Sequence, residues 1–163
     1  MTEMTDIVDD EDKIIGKATR DETNRAHLLH RSATIIILDE QGRFFVQKRA
    51  KTKKLWPGKF AVGVVETVQA GEKYEETAVR GMKEEIGIFG KPQFLFDFKF
   101  RSNESNENSR IYRCTIYEEP EFVDGEVEEG YFAEKEELKK MLNEKDFDPY
   151  SKSLMESYWR LLK

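Results

Sequence analysis

The sequence predicts an α+β fold in which strands surround one amphipathic helix and further helices follow at the C-terminus. Apolar residues recur every four positions at Ala78, Met82 and Ile86, which is typical of a helix with one buried face. Segments with the composition and alternation of strands lie before and after this helix. Two amphipathic helical patterns end the chain, and this order of elements indicates helices layered on a sheet.

Composition and length exclude several classes of protein. A chain of 163 residues has the length of one domain, so we expect a single domain over residues 1–163. The net charge of −6 argues against general nucleic-acid binding. No apolar run approaches the ~18 residues of a membrane span, and the N-terminus lacks the pattern of a signal peptide. With a lone cysteine, Cys114, no internal disulfide can form. We therefore expect a cytoplasmic protein, without a membrane or nucleic-acid partner, whose oligomeric state the sequence does not specify.

Residues 1–30 are predicted to form a hairpin followed by a loop. Apolar pairs at residues 7–8 and 14–15 flank an acidic turn, and Thr19 to Arg25 is polar and has the composition of a loop. His27 and His30 have a spacing that would place two metal ligands on one helix face. No cysteine or acid cluster adjoins them, so a surface or packing role is expected and a ligand role stays open.

The remaining elements follow from periodicity and turn residues. Strands are predicted over Ser32 to Leu38, Arg43 to Arg49, Gln93 to Arg101 and Arg110 to Tyr117, with one or two buried strands over Phe60 to Val68 and a short strand end at Tyr131-Phe132. Helices are predicted over residues 73–86, Glu134 to Leu142 and Tyr150 to Leu162. The polar stretch from Ser102 to Asn108 is predicted to be a loop.

The last turn of the central helix carries two adjacent acids, Glu84 and Glu85, before the stop residue Gly87. Carboxylates at this negative end of the helix dipole are disfavoured by roughly 0.3–1 kcal/mol each. A hard divalent cation with oxygen ligands would offset this cost. The pair therefore indicates a metal site.

Residues 66–88 resemble the Nudix box, whose pattern is Gly, five residues, Glu, seven residues, Arg-Glu-apolar-any-Glu-Glu-any-Gly-apolar. The matching residues are Glu72, Arg80, Met82, Glu84, Glu85, Gly87 and Ile88. The chain has Glu66 where the pattern opens with glycine and Gly81 where it has a glutamate. The resemblance implies a Nudix-type α/β/α sandwich with a mixed central sheet, and a divalent cation, Mg²⁺ or Mn²⁺, as cofactor.

The two departures from the box concern a metal ligand, because family members use the acid at position 81. Glu84 and Glu85 supply two predicted metal ligands. One hypothesis is that Glu66 fills the space left by Gly81 and supplies the third from the end of a neighbouring strand. The alternatives are that the site binds metal weakly or not at all, or that Glu66 points to solvent.

Arg80 and Glu126 are further candidates for the catalytic site. Arg80 is expected to orient Glu72 or Glu84 by a charged hydrogen bond. The segment from Glu118 to Glu137 contains ten carboxylates, most of them expected to be solvated. Within it Glu126 and Glu129 are the best candidates for an outer metal ligand or general base, and Glu126 is preferred.

A basic segment, residues 48–54, carries five cations in an acidic protein. It is either a solvated loop or a loop that faces substrate phosphates. For the second reading the candidate substrate-binding residues are Arg49, Lys51 and Lys54.

The segment from Arg49 through Trp56-Pro57-Gly58 to Glu72 is spaced as in the isopentenyl-diphosphate isomerase branch of the Nudix superfamily. The isomerase's catalytic cysteine falls at Val65 and its metal-binding histidine at Thr67. Valine can neither donate nor accept a proton, so the isomerase chemistry has no acid at that place. The resemblance is therefore closer to isomerase-like Nudix hydrolases.

The sequence thus predicts a metal-dependent hydrolase that cleaves a diphosphate linkage in a nucleoside diphosphate derivative or related small molecule. A non-catalytic phosphate-ligand-binding protein that keeps the Nudix fold is the alternative, favoured by Gly81. An isopentenyl-diphosphate isomerase-like enzyme is a third reading, opposed by Val65 and Thr67. The identity of the substrate is not specified, because specificity in such folds resides in loops outside the box.

Overall fold

A computed structural model describes residues 2–122 and 125–162. Its strands are β1 (Met4–Val8), β2 (Ile14–Thr19), β3 (Leu29–Leu38), β4 (Phe44–Arg49), β5 (Phe60–Val62), β6 (Val64–Thr67), β7 (Gln93–Arg101), β8 (Asn106–Thr115) and β9 (Val127–Ala133). Its helices are α1 (Arg20–Arg25), α2 (Tyr74–Ile86), α3 (Lys135–Glu144) and α4 (Pro149–Leu161).

The sheet is mixed, and β3 is its central strand. β3 pairs in parallel with β8 along its whole length and antiparallel with β6, β4 and β1. β7 continues the sheet beyond β8, β2 beyond β1, and β5 and β9 both pair with β4. The predicted α+β sandwich with a mixed central sheet is therefore confirmed.

Along β3, apolar side chains point alternately to the two faces of the sheet, and both faces are covered by helices. Ile35 and Ile37 pack with Ala78, Met82 and Ile86 of α2, whereas Ile36 packs on the opposite face with α3 and α4. Successive side chains of a strand point to opposite faces, so a continuous β-branched run is suited to a sheet covered on both sides.

Helix α2 has well-defined ends. At its start the Glu76 carboxylate accepts a hydrogen bond from the Lys73 amide at 2.9 Å. At its end Gly87 has φ of +70°, and its amide donates to the Lys83 carbonyl. The predicted box helix and its glycine stop are both present.

Two local predictions were wrong. Thr19 to Arg25 is not a loop, because Thr19 caps the short helix α1 by accepting from the Glu22 amide at 3.1 Å. The predicted loop from Ser102 to Asn108 is shorter, since β8 already begins at Asn106. Among the described residues, no helix is long and apolar enough to cross a membrane.

Candidate active site

Three carboxylates from different parts of the chain meet at the end of the sheet beside α2. Single carboxylate oxygens of Glu66, Glu85 and Glu126 lie within 4.8 Å of one another. Glu66 comes from β6, Glu85 from the last turn of α2 and Glu126 from the residue before β9. These three residues are called the acidic cluster below. Its geometry suits one cation with oxygen ligands.

Glu66 lies directly opposite Gly81. A Cβ atom placed on Gly81 would be 2.9 Å from Glu66 Cβ and 3.3 Å from Glu66 Cγ. Both distances are shorter than ordinary contacts, so the side chain of Glu66 fills the space that a larger residue at position 81 would need. The glycine on the helix and the glutamate on the strand are therefore sterically linked.

Burial disfavours the ionised form of the carboxylates in the acidic cluster. Desolvation raises the pKa of Glu66 to about 7, although Arg80 and Arg20 act in the opposite direction. Desolvation and the neighbouring charges of Glu66 and Glu126 also raise the pKa of Glu85 well above its usual value. Gln47 Nε2 donates to Glu85 Oε1 at 3.4 Å, whereas Glu85 Oε2 is buried and has no hydrogen-bond partner within the described ranges.

Arg80 links the cluster to the rest of the box. It donates two hydrogen bonds to Glu72, from Nε at 2.8 Å and from Nη2 at 2.9 Å. Its Nη1 lies 3.2 Å from Glu84 Oε2 and 3.5 Å from Glu66 Oε1. Glu84 itself has a side chain 49% exposed, and the structure does not bring it into the acidic cluster. Arg80 thus contacts both of the acids that the sequence suggested, together with Glu66.

The basic segment contributes differently from what the sequence suggested. Arg49 donates from Nε and Nη2 to the Leu55 carbonyl, which holds the segment in place. Lys54 pairs with Asp21 at 2.6 Å, and Lys51 is exposed. Lys53, which the sequence did not single out, pairs with Glu126 at 3.4 Å. Among these cations it is therefore Lys53 that contacts the acidic cluster.

A cavity of about 310 Å³ adjoins the cluster and includes Glu126 in its wall. It is also lined by Arg20, Arg49, Lys53 and Lys54. Arg20 was not identified from the sequence, because it lies in α1, which was predicted to be a loop. The volume is within the usual range for a small-molecule site.

The two histidines have different environments. His27 lies in the turn after α1 with φ of +54° and is exposed. His30 is buried on β3, lines the cavity, and its Nδ1 lies 2.8 Å from the Leu28 carbonyl oxygen. Val65 and Thr67 line the same cavity.

Comparison with known proteins defines the class. The family model for the NUDIX domain matches residues 28–156. The chain belongs to the Nudix family. An uncharacterized Nudix hydrolase of Streptomyces coelicolor is 35% identical over 118 residues, covering 71% of this chain and 63% of that protein. The uncharacterized Nudix hydrolase YfcD of Escherichia coli K12 is 38% identical over 103 residues, covering 60% and 57%. The chain thus spans somewhat over half the length of these curated relatives.

Solved structures show the same fold. The protein DR0079 of Deinococcus radiodurans superposes with a TM-score of 0.83 at 23% identity, over 99% of this chain and 100% of that one. A MutT protein of Methanosarcina mazei superposes with a TM-score of 0.70 at 20% identity, over 81% and 94%. The similarity to DR0079 includes the N-terminal hairpin, which lies outside the matched family model.

Proposed function

We propose that the protein is a metal-dependent hydrolase that cleaves a diphosphate linkage in a nucleoside diphosphate derivative or a related small molecule. The observation that carries the proposal is the acidic cluster, in which Glu66 and Glu85 are buried and Glu126 completes a set of three oxygens within 4.8 Å. Membership of the Nudix family supports hydrolysis.

The residues present fit a divalent cation. Glu66, Glu85 and Glu126 offer hard oxygen ligands of the kind that Mg²⁺ and Mn²⁺ prefer. The unpartnered Glu85 Oε2 is a buried acceptor of the kind that a cation would satisfy. In this assignment Glu66 replaces the ligand that family members carry at position 81, and Glu84 acts through its contact with Arg80. When bound, the cation would neutralise phosphate oxygens and lower the pKa of a water molecule.

The protein's own residues are assigned to binding the phosphates, positioning the carboxylates and accepting the proton. Hydrolysis adds the oxygen of water to one phosphorus, breaks the bridging P–O bond and releases a proton, so the site must hold two phosphates and accept that proton. Lys53 and Arg20 line the cavity beside Glu126 and supply positive charge for the phosphates. Arg80 positions Glu72, Glu84 and Glu66. Glu126, whose side chain is 36% exposed, is the cluster member most open to solvent, and the carboxylate oxygen that it does not offer to the cation is assigned as the proton acceptor.

Turnover of nucleoside diphosphate derivatives with Mg²⁺ or Mn²⁺ tests the proposal, with formation of the nucleoside monophosphate as the readout. We expect Glu85→Gln to reduce kcat by about 100-fold or more, since it removes a ligand charge while keeping the side chain's shape. Glu128→Gln, an exposed change two residues from Glu126, is the matched control and should retain full activity.

Two results would contradict the hydrolase. Protection by a nucleoside diphosphate derivative against thermal unfolding, with no turnover of any member of the panel, would support a non-catalytic binding protein instead. Rearrangement of a prenyl diphosphate without phosphate release would indicate an isomerase. Equal activity of Glu85→Gln and the unmodified protein would show that the acidic cluster takes no part in catalysis.

A further inference from the structure

The cavity has a second polar region formed by β3, β8 and the start of α4. Its side chains are His30, Glu107 and Asp148, which are 4%, 6% and 3% exposed. They are called the acceptor wall below. His30 and Glu107 are direct partners in the parallel pairing of β3 with β8, so both side chains project from the same face of the sheet.

Glu107 has unused capacity to accept hydrogen bonds. Its Oε2 accepts from Ser105 Oγ at 2.9 Å, and within residues 2–122 and 125–162 no Lys, Arg or His pairs with it. An ionised carboxylate can accept about four hydrogen bonds. A buried carboxylate that lines a cavity and accepts only one is suited to a ligand with N–H donors.

His30 presents a second acceptor. The Leu28 carbonyl can only accept, so the ring nitrogen Nδ1, 2.8 Å away, carries the proton and donates it. In the neutral ring Nε2 then has a free lone pair. Asp148 is the N-cap of α4, where its Oδ1 accepts from the Ser151 amide at 2.6 Å. The main role of Asp148 is therefore to cap α4, where this helix borders the acceptor wall.

Trp56 adds an independent sign of a ligand. Its side chain lines the same cavity and is 7% exposed, and its Nε1 has no acceptor among the described residues. The residue also has φ of +48°, an uncommon conformation for a bulky side chain. The cavity therefore combines several acceptors with one buried N–H donor that lacks a partner.

We infer that the acceptor wall binds the base of the substrate and that Glu107 selects a base carrying an exocyclic amino group, an inference that rests on the proposed function. An amino group, alone or beside a ring N–H, donates to the Glu107 carboxylate. A ring carbonyl accepts from Trp56 Nε1–H, which an aliphatic amine cannot do. Guanine and cytosine have both features, whereas hypoxanthine and uracil keep the carbonyl and lack the amino group.

Paired substrates test the inference with the unmodified protein. GDP and IDP differ only in the exocyclic amino group, and CDP and UDP differ in an amino group against a carbonyl. We expect kcat/KM to be at least tenfold higher for GDP than for IDP and for CDP than for UDP, the scale of one lost hydrogen bond to a charged group. Ratios within about twofold in both pairs would overturn the inference while leaving the hydrolase intact.

A variant assigns the selectivity to one side chain. Glu107→Gln keeps the shape but replaces one acceptor oxygen with a donor, so both ratios should fall to within about threefold of unity. Glu104→Gln, an exposed change three residues earlier, is the matched control and should leave both ratios unchanged. If Glu107→Gln folds, as judged by thermal unfolding, and keeps the unmodified ratios, the assignment to Glu107 is wrong.

The test remains decisive if none of the four nucleotides is hydrolysed. That result would contradict the proposed function for these substrates, and binding would then be measured by thermal unfolding with Mg²⁺. Greater protection by GDP than by IDP, lost in Glu107→Gln, would still support the acceptor wall. Equal protection by both would overturn it.

Discussion

Gly81 and Glu66 face each other between α2 and β6, and the space between them admits only one side chain. A Cβ at position 81 would meet Glu66 Cβ at 2.9 Å, and this atom is too close to the backbone to move easily. Alanine favours a helix over glycine by about 1 kcal/mol. At position 81 this gain in helix propensity is opposed by the steric clash between the added Cβ and Glu66.

We predict that Gly81→Ala destabilises the protein by about 1–3 kcal/mol despite its better helix propensity. Gly81→Glu alone should destabilise the protein more than Gly81→Ala does. The double variant Gly81→Glu with Glu66→Gly should recover folding and divalent-cation binding, since the two changes together restore the box pattern. Urea unfolding and Mn²⁺ titration measure these effects. Gly16→Ala, at a glycine with open space around its Cβ position, is the control. A double variant no better than Gly81→Glu would contradict the steric link.

Asp148 supplies a prediction about pH. Burial raises its pKa to about 6 from an ordinary value of 3.8. Between these values the folded protein binds more protons than the unfolded chain, so the contribution of Asp148 to stability falls as pH rises from about 4 to about 6.

In Asp148→Asn this contribution is absent, and asparagine is also a good helix N-cap. We predict that the stability of the variant relative to the unmodified protein increases by about 2–3 kcal/mol between pH 4 and pH 7. Urea unfolding at several pH values measures the difference. Parallel stability curves for the two proteins would contradict the assignment.

The candidate site could be predicted only in part. Adjacent acids and box spacing indicated Glu85, and the exchange of residue types at positions 66 and 81 indicated Glu66. Arg20, Lys53 and Glu107 carried no such signal, because each lies among other polar or charged residues and nothing in the sequence pattern distinguishes it from them. Their roles depend on which strands and turns meet in space, which periodicity does not reveal.

At the scale of elements, Arg80 fastens the strand-to-helix connection to α2. Its two hydrogen bonds to Glu72 and its Nη2 contact with the Thr67 carbonyl at 3.0 Å join the start of the box to the middle of the helix. Lysine cannot reproduce this planar, two-point geometry.

We therefore predict that Arg80→Lys lowers stability by about 1–3 kcal/mol and weakens Mn²⁺ binding, because Glu66 and Glu84 lose their shared partner. Thermal unfolding and Mn²⁺ titration measure the two effects. Arg160→Lys on the exposed side of α4 is the control and should change neither. If Arg80→Lys changes neither property, the guanidinium geometry is not needed.

Element prediction succeeded where apolar periodicity was strong and failed where polar capping decided the outcome. β7 has the predicted bounds, and α2 and α4 begin and end within one residue of prediction. α1 was missed because its six residues include no apolar side chain to mark a face. β8 begins early because Asn106 to Ser109 form a polar strand paired with β3 and β7.

At the scale of the whole molecule, Asp12 holds the N-terminal hairpin against the body. It accepts hydrogen bonds from Arg31 Nε at 3.0 Å and from the Tyr74 hydroxyl at 3.0 Å, and Asn108 Nδ2 lies 3.2 Å away. Its φ of +66° is a conformation that asparagine also tolerates.

We predict that Asp12→Asn destabilises the protein by about 1–3 kcal/mol, since the charge is lost without a change in backbone preference. The hairpin should also become more sensitive to limited proteolysis. Asp10→Asn, whose side chain is 82% exposed and pairs with Arg101, is the control and should change stability by less than about 0.5 kcal/mol. Equal effects of the two variants would contradict the anchoring role.

The origin of the three cluster carboxylates has a consequence for how the protein is held together. A strand, a helix and the segment entering β9 each contribute one oxygen, so a bound ion would fasten three stretches that are distant along the chain. Glu126 is already held by its ion pair with Lys53 and by the hydrogen bond that the Ala50 amide donates to its carbonyl, and the ion would add a further link. Removal of the ion by a chelator would loosen the segment that carries Glu126 before the core unfolds. The rate at which a protease cleaves this segment would therefore report the fraction of the protein that has the ion bound.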